Sequence, residues 1–275
     1  REYQRLFEIF KAHDIGYFFY NGGGDSQDTT NKIAKITSKL GLPIQCIGIP
    51  KTVDNDLLLT DNCPGFGSVA KYVATSIREA GLDVKSMSET STKVFILEVM
   101  GRNSGWIAAS AGLSKEKAND PPHIILFPEV PFNKSKVLKK VTSSIKRYGY
   151  CVMAVSEGTR YKNGTFLSDA GLTDAFGHKQ LGGIAPKISS LIQESLGYKC
   201  HWAVSDYLQR SARHIASKVD LQQSLAVGEA AVKFALSGEN SVMPVIIRNK
   251  GKSYTWKIGK IPLSRVANIE KVLPK

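Results

Sequence analysis

What most constrains this chain is a set of short, nearly continuous apolar runs. Residues 44–49, Val94 to Val99 and Cys151 to Val155 show the pattern most clearly; Tyr17 to Tyr20, His123 to Phe127 and Met243 to Ile247 repeat it. A strand with one face in water alternates apolar and polar residues, whereas a run apolar at nearly every position needs cover on both faces. Helices supply that cover, and helical spacing lies between the runs. Residues 2–13 put Leu6, Ile9, Phe10 and His13 on one face. Residues 28–40 carry Ile33, Ile36 and Leu40, with Asp25 or Ser26 as cap and Gly41 as stop. Val69, Val73 and Ile77 define a helix that Gly81 ends. Further helices are expected over Ser135 to Tyr148 and Ile184 to Leu196. Strands alternating with helices predict an α/β fold with mostly parallel sheets.

In such sheets ligands bind in loops at the carboxyl ends of strands. Four odd polar loops occupy such positions: Asn21 to Thr29, Pro50 to Asp56, Met100 to Ser104 and Ser156 to Tyr161. The first, NGGGDSQDT, has glycines that let backbone N–H groups approach an anion, followed by the positive end of a helix. Asp25 is an oxygen ligand of the kind Mg²⁺ takes beside phosphates. In the second, PKTVDNDL, Asp54 and Asp56 sit two apart with Lys51 upstream. In an extended segment the two carboxylates would point the same way; in a turn they can splay, one to a metal and one to a substrate hydroxyl. A carboxylate beside a hydroxyl can take its proton, and cations offset charge on a transferring phosphoryl group. Taken alone, each loop also reads as an ordinary solvated turn.

The formal net charge of +13 favours anionic partners. Its basic residues are spread along the chain, with one modest cluster from Lys134 to Arg147, read as a solvated helix face. No nucleic-acid module is recognisable, and specific nucleic-acid binding is not expected. No apolar stretch approaches a membrane span, and REYQRLFEIF does not read as a signal peptide. Cys46, Cys63, Cys151 and Cys200 form no CxxC pair, so a zinc site or disulfide framework is not expected, and a cytoplasmic location is. His13 and His123 read as structural histidines. Arg160 and Tyr161 read as residues that shape their loop.

NGGGDSQDT, PKTVDNDL, EVMGRNSGW (Glu98 to Trp106), SEGTRY and YLQR (Tyr207 to Arg210), in this order, resemble the phosphofructokinase family over roughly residues 14–215. The resemblance implies two Rossmann-like lobes. Residues 1–67 plus 209–250 would form the donor lobe, and 68–208 plus 251–275 the sugar-phosphate lobe. It implies phosphoryl transfer to the 1-hydroxyl of fructose 6-phosphate. Asp54 matches the base, Asp56 an acid near Mg²⁺, and Thr52 a residue near the transferred phosphate. Met100, Gly101 and Arg102 match the loop that holds the sugar phosphate and the transition state. Glu157 matches the carboxylate on the sugar hydroxyls, and Tyr207 and Arg210 the holders of the 6-phosphate. Lys93 stands where the family has an arginine that serves a neighbouring subunit; for a second such arginine, Lys199 and His201 are the nearest candidates. A homodimer or homotetramer is implied.

The donor follows from Lys51. Members that use ATP resemble one another in having glycine there, whereas pyrophosphate-using members resemble this chain in having lysine. A lysine fills nucleotide space and neutralises pyrophosphate. The turn from Gly22 through Gly23, Gly24 and Asp25 to Ser26 aligns in two registers. One makes Asp25 a donor-selecting residue, the other a metal residue. An ATP-dependent enzyme is the alternative, and a non-catalytic anion-binding subunit the remoter one. The chain opens on a helix, so the family's first strand and its glycine loop are expected to be missing. These 275 residues alone are then expected to be inactive.

Overall fold

The computed structural model describes residues 2–167, 169–173, 179–181 and 183–274. The chain forms two compact units. One comprises Arg1–Gly67 with Ser217–Lys271, the other Ser68–Ala216 with Val272–Lys275. In chain order the elements are α1 (Glu2–Ala12), β1 (Tyr17–Gly22), α2 (Gly24–Lys39), β2 (Gln45–Pro50), α3 (Phe66–Met87), β3 (Val94–Val99), α4 (Trp106–Ser110), β4 (Ile124–Leu126), α5 (Lys134–Tyr148), β5 (Cys151–Ser156), β6 (Asp169–Thr173), β7 (Lys179–Leu181), α6 (Ile184–Leu196), β8 (Cys200–Val204), α7 (Leu208–Ser211), α8 (Lys218–Leu236), β9 (Val242–Arg248) and β10 (Trp256–Pro262).

The first unit has a sheet of order β1-β2-β9-β10, in which only the β9/β10 pair is antiparallel. Ile33, Ala34, Ile44 and Cys46 pack with Phe7 and Phe10 on one side. Ile47 and Val242 meet Ala231 and Ala235 of α8 on another. The second unit has a wholly parallel sheet, β4-β5-β3-β8. Its core joins β3, β4 and β5 to Val137 and Val141 of α5 and to Ile184, Ile188 and Ile192 of α6. Glu98 is the one charge inside β3 and is 1 % exposed. Its two oxygens accept from the Gly183 and Ala185 amides at the start of α6, so the buried carboxylate caps that helix.

Several expectations need correction. Gly81 does not stop a helix, because α3 runs on to Met87. A Cβ there would lie 2.5 Å from the Pro121 ring, so the glycine lets α3 pack closely against that loop. Helix α2 begins at Gly24, with Gly23 as cap, which puts Asp25 and Ser26 inside its first turn. In α1 the buried pair is Phe7 and Phe10, while Ile9 and His13 face water; the aromatic pair wins that face by packing against Phe18. The second crossing between units falls at Ser217 rather than 209. Residues 251–271 also join the first unit, because β10 pairs with β9.

Candidate active site

In the first unit, β1 and β2 run parallel and in register, Gly22 opposite Pro50. The Lys51 amide then donates to Gly22 O at 3.1 Å. This register brings the glycine turn and PKTVDND side by side. A Cβ on Gly23 would lie 3.6 Å from that of Thr52, so the turn rests on the threonine. Thr52 is tied to Gly65 by a parallel bridge, and its Oγ1 accepts from the Asp54 amide at 3.2 Å. The exposed Lys51 and half-buried Asp54 follow from this path. Gln27, fully buried, links the two loops: its amide donates to Gly22 O at 2.9 Å and to Ile49 O at 3.1 Å.

Between the two aspartates, Asn55 has φ +55°, a left-handed conformation that asparagine tolerates better than most residues. It turns the chain so that Asp54 and Asp56 do not share one face of an extended segment. Burial, and then the neighbouring Asp54 charge, push the Asp56 carboxyl up to about 6; Lys271 acts in the opposite direction. Asp56 Oδ1 is buried and has no hydrogen-bond partner. Among the described residues, no three His, Cys, Asp or Glu side chains gather as a cation site. An orphaned carboxylate oxygen nevertheless suits a cation of the Mg²⁺ kind, which takes one or two carboxylates and fills its other positions with phosphate and water. Asp25 lies on the neighbouring turn, in the first turn of α2.

The second unit carries the other predicted loops, also at strand carboxyl ends. Gly101 follows β3 with φ +125°. Its amide donates to Glu157 Oε1 at 3.3 Å, and its carbonyl accepts from Ser156 Oγ at 2.5 Å. Met100 N donates to Gln209 Oε1 at 3.3 Å, which ties the loop to α7. A Cβ on Gly158 would sit 1.9 Å from Arg102 O, so only glycine allows the β3 and β5 loops to touch here. Arg160 secures the contact by donating to Arg102 O at 2.9 Å and Asn103 Oδ1 at 3.2 Å, in line with its expected loop-shaping role. Burial raises the Glu157 carboxyl above its usual range, against the Gly101 amide and Arg102, which favour its charged form. Arg102 Nε is buried without a hydrogen-bond partner. Arg210 stacks over the exposed Tyr207 ring, 4.8 Å from its centroid.

Lys93 is placed differently. It precedes β3, whereas Met100 follows it, so six strand residues separate the two, about 20 Å. Its ammonium donates to Ser88 O at 2.5 Å, and its backbone amide to Lys199 O at 3.1 Å. Lys93, Lys199 and His201 therefore gather at the amino end of β3 and β8, away from the other site residues of their unit.

The model of the family described as "Phosphofructokinase" matches residues 1–235. The chain belongs to the phosphofructokinase family. A Halomonas elongata protein named pyrophosphate–fructose 6-phosphate 1-phosphotransferase is 58 % identical over 274 residues, covering 100 % of this chain and 65 % of that protein. A Methylococcus capsulatus protein of the same name is 55 % identical, with 99 % and 65 % covered. The crystal structure of a pyrophosphate-dependent phosphofructokinase from Nitrosospira multiformis matches with TM-score 0.91 and 56 % identity, over 100 % of this chain and 66 % of that one. This phosphofructokinase-family chain thus spans about 65 % of the length of the curated relatives it matches.

His13 is exposed, and His123 is half-buried with Nδ1 accepting from the Val152 amide, so both fit structural roles. The cations of α5 face solvent. Among the described residues, no helix is long and apolar enough to cross a membrane. Gln27, Gly158 and Gln209 lie inside the quoted motifs but were not singled out there, and Lys271 lies outside all of them.

Proposed function

We propose that the protein transfers a phosphoryl group between pyrophosphate and the 1-hydroxyl of fructose 6-phosphate, giving fructose 1,6-bisphosphate and orthophosphate, reversibly. The observation that carries this reading is the pairing of Lys51 with the glycine turn, its amide 3.1 Å from Gly22 O, in a chain 58 % identical to a protein named for that reaction. A lysine at this point of the donor loop takes room that a nucleotide would need. It also supplies charge to a donor that brings no adenosine.

Asp54 accepts the proton of the 1-hydroxyl. The freed oxygen attacks one phosphorus of pyrophosphate, the bond to the bridging oxygen breaks, and orthophosphate leaves with that oxygen. Gly23, Gly24, Asp25 and Ser26 line the donor side, with Thr52 beside the phosphoryl group in flight. A bound Mg²⁺ would neutralise phosphate charge, held through Asp56 and, in one register, Asp25. Lys51 and Arg102 offset the charge that develops in the transition state. Met100, Gly101, Glu157, Tyr207 and Arg210 hold the sugar phosphate. The placement of Lys93, Lys199 and His201 at the opposite strand ends supports their serving a second copy, hence a homodimer or homotetramer, and we place the enzyme in the cytoplasm.

A Lys51→Gly variant of the full-length protein tests the donor assignment. We expect kcat/KM with pyrophosphate to fall roughly 100-fold or more, with binding of fructose 6-phosphate unchanged; a fall of about 100-fold corresponds to ~2.7 kcal/mol of transition-state stabilisation. Undiminished pyrophosphate use would refute the assignment. Wild-type turnover with ATP in place of pyrophosphate would do the same.

A further inference from the structure

We propose that Lys271 is a positioning residue for the Asp54–Asp56 loop, its ammonium clasping Asn55, the pivot between the two carboxylates. Its consequence for turnover rests on the reaction proposed above; its geometry does not. Lys271 Nζ donates to Asn55 Oδ1 at 3.1 Å, Thr60 O at 3.0 Å and Asp61 O at 3.2 Å. An ammonium has three protons, and three acceptors meet them. The backbone of the same segment holds the loop as well. Lys271 N donates to Asp56 O at 2.6 Å, and Glu270 pairs with Leu57 in an antiparallel bridge.

Asn55 is where such a clasp has leverage. It is 2 % exposed, and its Oδ1 also accepts from the Cys63 amide at 2.9 Å. Its φ is positive, a conformation that the neighbouring contacts must hold, and any rotation there would swing the residues on both sides. A half-buried cation is a costly choice beside Leu57 and Cys63, where an apolar side chain would pack at less cost. Burial indeed pulls the Lys271 pKa down, against the Cys63 thiol and the Asp61 and Asp56 carboxylates, which hold it up. What the ammonium supplies is direction: three fixed hydrogen bonds that leave the loop one path. A displacement of about 1 Å at a reacting group costs on the order of 100-fold in rate.

The test uses the full-length protein with Lys271→Met and Lys271→Arg. In Lys271→Met we expect kcat to fall roughly 10- to 100-fold while KM for both substrates stays within about threefold. Backbone amides of residues 53–60 should exchange at least about tenfold faster with deuterium. Lys271→Arg, which keeps the cation, should recover most of the loss. A kcat within about twofold of wild type, with unchanged exchange, overturns the proposal. So does a lowered melting temperature with normal turnover per folded molecule. If wild type turns over none of these substrates, the reaction reading fails and the exchange comparison still decides the clasp. If Lys271→Met does not fold, the wild-type ¹⁵N spectrum decides: a slowly exchanging lysine ammonium signal that is lost in Lys271→Arg is expected, and its absence from wild type refutes the clasp.

Discussion

Within the first unit, Asp54 rests on two local bonds: its amide to Thr52 Oγ1, and a strand register that seats Lys51 against Gly22. Asp54→Asn keeps the shape and removes the proposed base. We expect kcat to drop roughly 10²- to 10⁴-fold with KM for fructose 6-phosphate changed less than about threefold, as steady-state kinetics of the full-length protein would read. Gly158→Ala acts by crowding. Its Cβ would meet Arg102 O at 1.9 Å, so the Met100–Arg102 loop must move. The expected outcome is a loss of about 2–4 kcal/mol in denaturant titration and weaker binding of sugar phosphate by calorimetry. Lys51, Asp54 and Arg102 could be proposed from the sequence because each lies in a short motif that carries the family resemblance. The bracing roles of Gln27 and Gln209, although both lie within quoted motifs, and of Lys271, which lies outside them, could not, because they bond to partners 22, 109 and 216 positions away. A lone glutamine or lysine gives no hint of which distant carbonyl or amide it will meet.

Among the elements, apolar strands and amphipathic helices declared themselves, including the edge strands β1 and β4, while the polar edges β8 and β10 did not. Strands β3 and β5 are apolar because both faces are covered, so their limits were readable to within a residue. Strand β8 lies at a sheet edge with His201, Trp202 and Val204 exposed, and its sequence has no continuous apolar run. Strand β10 is an antiparallel edge, and its mixture of lysine and isoleucine reads equally well as a loop. The amino end of β4 offers a pH test. Burial, and then the charge of Lys115, hold His123 down at about 4, well below a free imidazole near 6.5. The unfolded chain therefore binds a proton that the folded chain refuses between those values. Stability is present above pH 6.5 and is lost as pH falls toward 4. The site is half-buried, so the loss is discounted for solvent screening to about 1 kcal/mol. Urea titrations from pH 7 to 4.5 should show it, and His123→Asn should flatten the profile.

For the whole molecule, the placement of Lys93 predicts complementation. On the proposed reading, Asp54→Asn subunits lack the base, and Lys93→Ala subunits fail their neighbour. Neither alone should turn over well. Equal amounts, unfolded and refolded together, should recover roughly a quarter of wild-type activity if sites are shared in symmetric pairs; no recovery would rule sharing out. The division of the chain has a further consequence, in the order of synthesis. The second unit is drawn almost entirely from one uninterrupted stretch, Ser68–Ala216, whereas β2 must wait for β9, nearly two hundred residues later, to gain its second neighbour. On the ribosome, once residue 216 has emerged, the second unit should already resist protease at its sheet β4-β5-β3-β8, while β1 and β2 are still being cut. The segment that bears Asp54 would then be translated early and protected late, leaving it dependent on chaperones for the interval between.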